Sequence, residues 1–196
     1  MYTLIASVAL PALGIAFVEL RRLRRSRDAL RVESRTDALT GCWNKRRWLE
    51  RLDELQGKQL AFVLLDLANL KAANELLGHV GADDVLAEVA GQIREGTDAV
   101  FRTGGDEFAV LLPGASLGDA KAVRDRIEAR IGIRFLAPAC PVFLAGGVGT
   151  CGPGCDPVPR MRAADREQER RKADRKRLAG APLTREATLA LLETQR

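Results

Sequence analysis

Cysteine and aromatic residues are both scarce. The 196-residue chain has four cysteines, Cys42, Cys140, Cys151 and Cys155, scattered without a framework spacing, and only 5% Phe, Trp and Tyr. A disulfide-stapled secreted module and a zinc ribbon are thereby excluded, and the main body is expected in a reducing compartment. Internal repeats and sustained low-complexity tracts are also absent. With 46% hydrophobic and 29% charged residues, the composition fits one globular domain plus a short appendage, which excludes long disorder, collagen and multi-domain architectures. Excess positive charge is missing from most of the chain as well. Arg21 to Arg35 holds seven arginines against Asp28 and Glu33, an excess of five that equals the +5 of the whole sequence. The remainder is neutral, so the broad basic field that suits nucleic acid is lacking. The late basic run Arg160 to Arg177 has no aromatic residues to stack on bases. No nucleic-acid partner is expected.

Met1 to Val18 carries no charge, and its most polar side chains are Tyr2, Thr3 and Ser7. As a helix it would extend about 27 Å, just long enough to span a bilayer, so residues 1–20 are expected to form a transmembrane helix. Glu19 and the arginines follow the apolar stretch instead of preceding it, unlike a cleaved signal peptide. Positive charge on the C-terminal flank keeps that flank cytoplasmic, which makes the protein single-pass with its domain in the cytosol. Pro11 and the short length leave a buried N-terminal core helix as the alternative. Residues 21–35 then form a basic juxtamembrane connector helix.

Beyond the connector, Trp48, Leu49, Leu52 and Leu55 recur at helical spacing within a helix expected over Trp43 to Leu55. Gln59 to Asp66 is a continuous apolar run ending in a carboxylate, the pattern of a central strand with an acid at its end. Helices are expected from Lys71 to Leu77, stopping at Gly78, and from Asp83 to Ile93, followed by a strand from Ala99 to Arg102. Gly104 and Gly105 join it to the strand Phe108 to Leu112, and paired glycines between apolar strands predict a hairpin that presents Asp106 and Glu107. A helix over Leu117 to Ile131, a strand over Val142 to Ala145, a glycine-cysteine loop and a helix over Met161 to Leu178 complete one α/β domain, residues 36–180. Residues 181–196 form a helical tail after Pro182.

The chemistry-bearing residues are an acid at a strand end (Asp66), two more at a hairpin tip (Asp106, Glu107) and lysines on nearby helices. Carboxylates converging from adjacent strands suit hard cations such as Mg²⁺, and lysines neutralise phosphates, so the set points to phosphoryl or nucleotidyl transfer. Cys140, Cys151 and Cys155 lack a fourth ligand and read as ordinary loop cysteines.

Arg102-Thr-Gly-Gly-Asp-Glu-Phe108 resembles the signature of the GGDEF family, the diguanylate cyclases that condense two GTP into cyclic di-GMP. Asp37-Ala-Leu-Thr-Gly-Cys-Trp-Asn-Lys-Arg-Arg47 is similar to the family's opening motif, and Asp66-Leu-Ala-Asn-Leu-Lys71, Asn74, Gly78-His79 and Asp83 stand at matching spacing. The resemblance implies an α+β, palm-like domain: a central, mainly antiparallel sheet flanked by helices, here behind a transmembrane helix in a bacterial inner membrane. It implies Mg²⁺ (or Mn²⁺) as cofactor and GTP as substrate, with pyrophosphate as the leaving group. A homodimer is implied because two GTP molecules must meet.

Position by position, Asp66, the Leu67 carbonyl, Asp106 and Glu107 resemble the family's metal contacts, and either hairpin acid can assist deprotonation of the ribose 3′-hydroxyl. Lys71 matches a phosphate-contacting lysine. Asn74 and Asp83 match the guanine-reading pair, Asp83 as a buried acceptor. His79 lies near the substrate, or is a packing residue. Lys172 and Lys176, spaced i, i+4 on one helix face, align with a basic pair of the last helix. Three departures stand out. The arginine of the usual inhibitory product site is replaced by Glu95, four residues of chain ending at Asp98. Ala68 and Ala82 replace a common Asp and Gly. Glu167-Gln-Glu169 replaces Ala-Leu-Tyr, which is expected to weaken the last helix's packing, and a catalytically degenerate regulatory module is the rival reading.

Overall fold

The computed structural model describes residues 18–22, 35–97, 99–136 and 140–179. Residues 1–36 form one unit and residues 37–196 another, and each is treated by itself. Residues 18–22 are helical. The expected transmembrane helix, the connector and the C-terminal tail otherwise lie outside the described residues, as does Asp98. Among the described residues no helix is long and apolar enough to cross a membrane.

The larger unit runs β1 (Trp43–Asn44), α1 (Lys45–Glu54), β2 (Leu60–Ala68), α2 (Leu70–Arg94), β3 (Val100–Arg102), β4 (Glu107–Pro113), α3 (Leu117–Ile131), β5 (Ile133–Phe135), β6 (Pro141–Cys151) and α4 (Pro157–Ala179). Its six strands form one sheet in the order β1-β3-β4-β2-β6-β5, antiparallel except for β1 against β3. This matches the expected mainly antiparallel sheet. β2 lies near the middle, antiparallel to both neighbours, and alternation of side chains sorts its apolar run into two cores. Ala61, Val63, Leu65 and Leu67 join Leu86, Val89 and Ile93 of α2 in one layer, while Leu60 and Phe62 join Trp48, Phe101 and Ala164 in the other. The same parity puts Asp66 on the second face, beneath α4.

Two expectations about the end of the chain are corrected. β6 continues straight through the glycine cluster instead of stopping at Ala145. Glycines read as strand breakers in sequence, yet here they are where other groups press closest. A β-carbon on Gly147 would collide with the backbone carbonyl of Ala164 in α4, and one on Gly149 with the Phe62 ring. Cys151 and Cys155 are not ordinary loop cysteines. Gly152-Pro153-Gly154 turns the chain so that their Cα atoms stand 5.5 Å apart, and the two are disulfide-bonded. Cys42 and Cys140 are free and buried.

The last helix is not loosely packed either, because charge replaces the expected apolar contacts. Arg124 of α3 lies 2.6 Å from Glu167 Oε1, and the Val148 N–H donates to Glu167 Oε2 at 3.2 Å. Glu128, buried in α3, accepts from Arg171 at 2.5 Å, from Arg175 at 3.0 Å and from the Gly146 N–H at 2.8 Å. Gln168 is buried beside them.

Candidate active site

Asp37, Thr40 and Arg102 set the shape of the signature turn. Asp37 accepts from the Thr40 hydroxyl at 2.6 Å, from the Thr40 N–H at 2.9 Å and from Arg102 at 3.1 Å. Burial pushes the Asp37 carboxyl up, but these three donors outweigh it and hold it below the usual range. The other guanidinium nitrogens of Arg102 reach forward to the Gly105 carbonyl at 2.7 and 3.2 Å. A β-carbon on Gly104 would meet the exposed Glu107 side chain, which would have to shift to admit it. The backbone of the tip is tied into the sheet by Leu67, whose N–H donates to the Asp106 carbonyl at 2.9 Å. Asp37 and Arg102 stood within quoted motifs, but nothing in the sequence assigned them to each other.

Asp66 sits opposite Glu107 in the β2–β4 register. Its Oδ1 is buried and has no aligned hydrogen-bond donor, although the Lys172 ammonium lies 2.5 Å away as an ion pair. Burial pushes the Asp66 carboxyl up, Lys172 pulls it down, and the charges of Asp106 and Glu169 push it up again. A buried carboxylate with further acidic side chains close by fits a hard cation that takes oxygen ligands. Among the described residues no three acidic, Cys or His side chains converge into a ready-made cage. Mg²⁺ does not need one, since it binds through one or two carboxylates and fills its shell with water and phosphate oxygens.

On the other side of the turn, Leu70, Lys71, Asn74, Glu75, His79, Gly105 and Asp106 line a cavity of about 440 Å³. Asn69 positions its wall. It takes the left-handed backbone conformation (φ 65°), which Asn tolerates better than most residues, and its side chain donates to the Pro141 carbonyl at 2.6 Å. The sequence reading passed over this residue. Asn74 donates to the Leu70 carbonyl at 3.2 Å, and its Oδ1 lies 3.0 Å from His79 Nδ1. Gly78 (φ 74°, ψ 173°) is non-helical and divides α2 between them into two helices, so the expected stop at Gly78 is observed.

The cavity thus brings together Lys71, Asn74, His79 and Asp106, with Asp66, Leu67, Glu107 and Lys172 around the neighbouring strand ends. Asp83 is the correction: it is exposed, not buried, and does not line the cavity. After the kink, Ala82, Val85 and Leu86 take the inward positions and turn Asp83 to solvent. Lys176 is also exposed, one turn beyond Lys172. Glu95, in the altered inhibitory segment, pairs with Arg130 at 3.0 Å. A second cavity, about 460 Å³, lies at the far end of β2 against Leu52, Leu60 and the disulfide, away from every candidate site residue.

The model of the family "Diguanylate cyclase, GGDEF domain" matches residues 34–135, while the sheet continues beyond it through β6 to α4. The chain is 34% identical over 125 residues to the diguanylate cyclase DgcP of Pseudomonas aeruginosa, covering 59% of this chain and 18% of that protein. It is 31% identical over 133 residues to the cyclic di-GMP phosphodiesterase PdeR of Escherichia coli, covering 64% and 20%. The chain therefore spans about a fifth of either relative's length. Among solved structures, the diguanylate cyclase SiaD of Pseudomonas aeruginosa, in complex with its activator SiaC, superposes with a TM-score of 0.66 at 30% identity, covering 82% of this chain and 68% of that one. With its motifs and more than half of its length in agreement, the chain belongs to the GGDEF domain family.

Proposed function

We propose that this chain is a diguanylate cyclase that condenses two GTP into cyclic di-GMP and releases pyrophosphate. The observation that carries the reading is Asp66, a carboxylate buried at a strand end beside the Asp106 turn, whose Oδ1 is met by the Lys172 ammonium. Burying a carboxylate costs free energy, and one answered by a flexible ammonium can exchange that partner for a metal ion. Asp66, Asp106, Glu107 and the Leu67 carbonyl would hold Mg²⁺ or Mn²⁺, which supplies charge neutralisation and eases ionisation of the ribose 3′-hydroxyl. Lys71, exposed on the cavity rim, holds the phosphate tail, joined by Lys172 and Lys176. Asn74, oriented by His79, reads the guanine edge from the cavity wall. The hairpin acids accept the proton of the attacking hydroxyl.

One half-site holds one GTP, so the active form is a homodimer. The membrane anchor over residues 1–20 belongs to the same proposal and places the domain in the bacterial cytoplasm. The rival reading, a degenerate domain that binds GTP or another protein without turnover, is favoured by the ion pair that closes Asp66 and by the lack of a ready-made metal cage among the described residues. Incubating the purified full chain with GTP and Mg²⁺ decides between them. Cyclic di-GMP and pyrophosphate are the expected products. Saturable GTP binding with no product favours the degenerate module.

A further inference from the structure

We propose that Lys172 stands in for the divalent cation at Asp66 and must be displaced before that cation binds, so that one ammonium sets the metal affinity of the empty site. The proposal rests on the reading of Asp66 as a metal carboxylate. Lys172 Nζ lies 2.5 Å from Asp66 Oδ1, with the two side chains 28% and 12% exposed. The ammonium thus occupies, as a short charge-assisted ion pair, the oxygen read as a metal ligand. An ammonium and a divalent ion cannot share one buried oxygen, because their repulsion grows as water is excluded.

The helix carrying Lys172 is not free to step aside. Its flanking residues Arg171 and Arg175 are locked on Glu128, and Glu167 is held by Arg124 and the Val148 N–H. Below it the Ala164 carbonyl presses on Gly147. Only the four-carbon stem can move, and a lysine's ammonium is a compact charge on a flexible chain that swings without disturbing the helix. The exchange thus occurs by side-chain rotation. In the empty protein Lys172 spares Asp66 the cost of an unpaired buried charge. Once a divalent ion takes Asp66, the ammonium is released for the phosphates. A lysine that only contacts phosphate would leave metal affinity untouched, whereas removal of Lys172 raises metal affinity and lowers nucleotide affinity. The opposite signs identify the role.

The test titrates Mn²⁺ alone, without nucleotide, into the full chain at neutral pH and follows free Mn²⁺ by electron paramagnetic resonance. Lys172→Met should bind Mn²⁺ about three- to tenfold more tightly than wild type, in line with the coupling of a partly buried ion pair. Lys172→Arg, which keeps the charge, should bind no more tightly than wild type, and this variant guards against a folding defect in the first. Lys176→Met should match wild type, and Asp66→Asn should lose the site. Lys172→Met no tighter than wild type, with Asp66→Asn deficient, overturns the displacement alone. Asp66→Asn equal to wild type, or no Mn²⁺ bound by any form, overturns the metal reading of Asp66 and the displacement with it.

Discussion

The Gly105 carbonyl at the signature turn is gripped by two nitrogens of Arg102, which is itself held by Asp37, in turn fixed by Thr40. Asp66, one strand away, keeps a buried oxygen whose partner is the flexible Lys172 ammonium. The same contrast recurs around α4. Glu128 of α3 and Glu167 of α4 each have both oxygens occupied by more than one donor, whereas Lys172, next to Arg171 in α4, serves Asp66 alone. The carboxylates that hold shape have several fixed partners, and the one read as receiving a ligand has a single flexible one. A site that must exchange partners cannot have all of its bonds made in advance.

The contrast breaks most visibly in the fully paired region. Glu128→Ala leaves Arg171, Arg175 and the Gly146 N–H without their acceptor, and loss of one member of a buried ion network should cost about 3–5 kcal/mol in urea unfolding. At the exchangeable site the effect should fall on rate and not on stability. Asp66→Asn and Asp106→Asn are expected to lower cyclic di-GMP formation by about 10²–10³-fold while shifting the unfolding midpoint little. A variant above half of wild-type turnover would remove that residue from the chemistry.

Smaller effects sharpen the boundary. Gly147→Ala forces α4 off β6 and should cost about 1–3 kcal/mol of stability, read by the same unfolding curves. Asp37→Asn should cost about 1 kcal/mol and loosen the turn. Because the Asp37 carboxyl is held below the ordinary aspartate value of 3.8, its contribution is complete above that pH and disappears as the pH falls through the folded value. The pH-stability curve of Asp37→Asn should therefore converge on wild type only under acid conditions, below about pH 3.8. Smallest of all is Asp83→Ser. An exposed carboxylate discriminates less than a buried one, so GTP over ATP preference in competition assays should fall by about fivefold or less.

Much of this was legible in the residues. The apolar run ending at Asp66 gave a central strand with the acid at its end, while the face it shares with the last helix emerged only from the packing. The paired glycines gave the hairpin. Legibility failed where a residue's meaning depended on a distant partner. Gly146 to Gly149 look like a loop until Ala164 and Phe62 are seen to occupy the space that side chains would take. Glu167 looked like a packing defect because Arg124 lies 43 positions away in sequence. Asp83 kept the spacing of a guanine reader but not its burial, since the kink at Gly78 decides which way the second half of α2 faces. Asn69 carried only a weak signal, as Asn tolerates many turns and marks none.

The alternation of β2 makes its reading frame a mechanical setting for the site. Leu60 and Phe62 are wedged into one core, and Ala61, Val63 and Leu65 into the other, so the phase of the strand is set several residues before Asp66 is reached. A single residue inserted among them would exchange the two faces, sinking the carboxylate into the packed layer beneath α2 and turning Leu67 toward Lys172. The apolar positions of the strand tolerate conservative substitution far better than the strand tolerates a change of length. Variation in this domain should accordingly accumulate as substitutions along β2 and never as insertions.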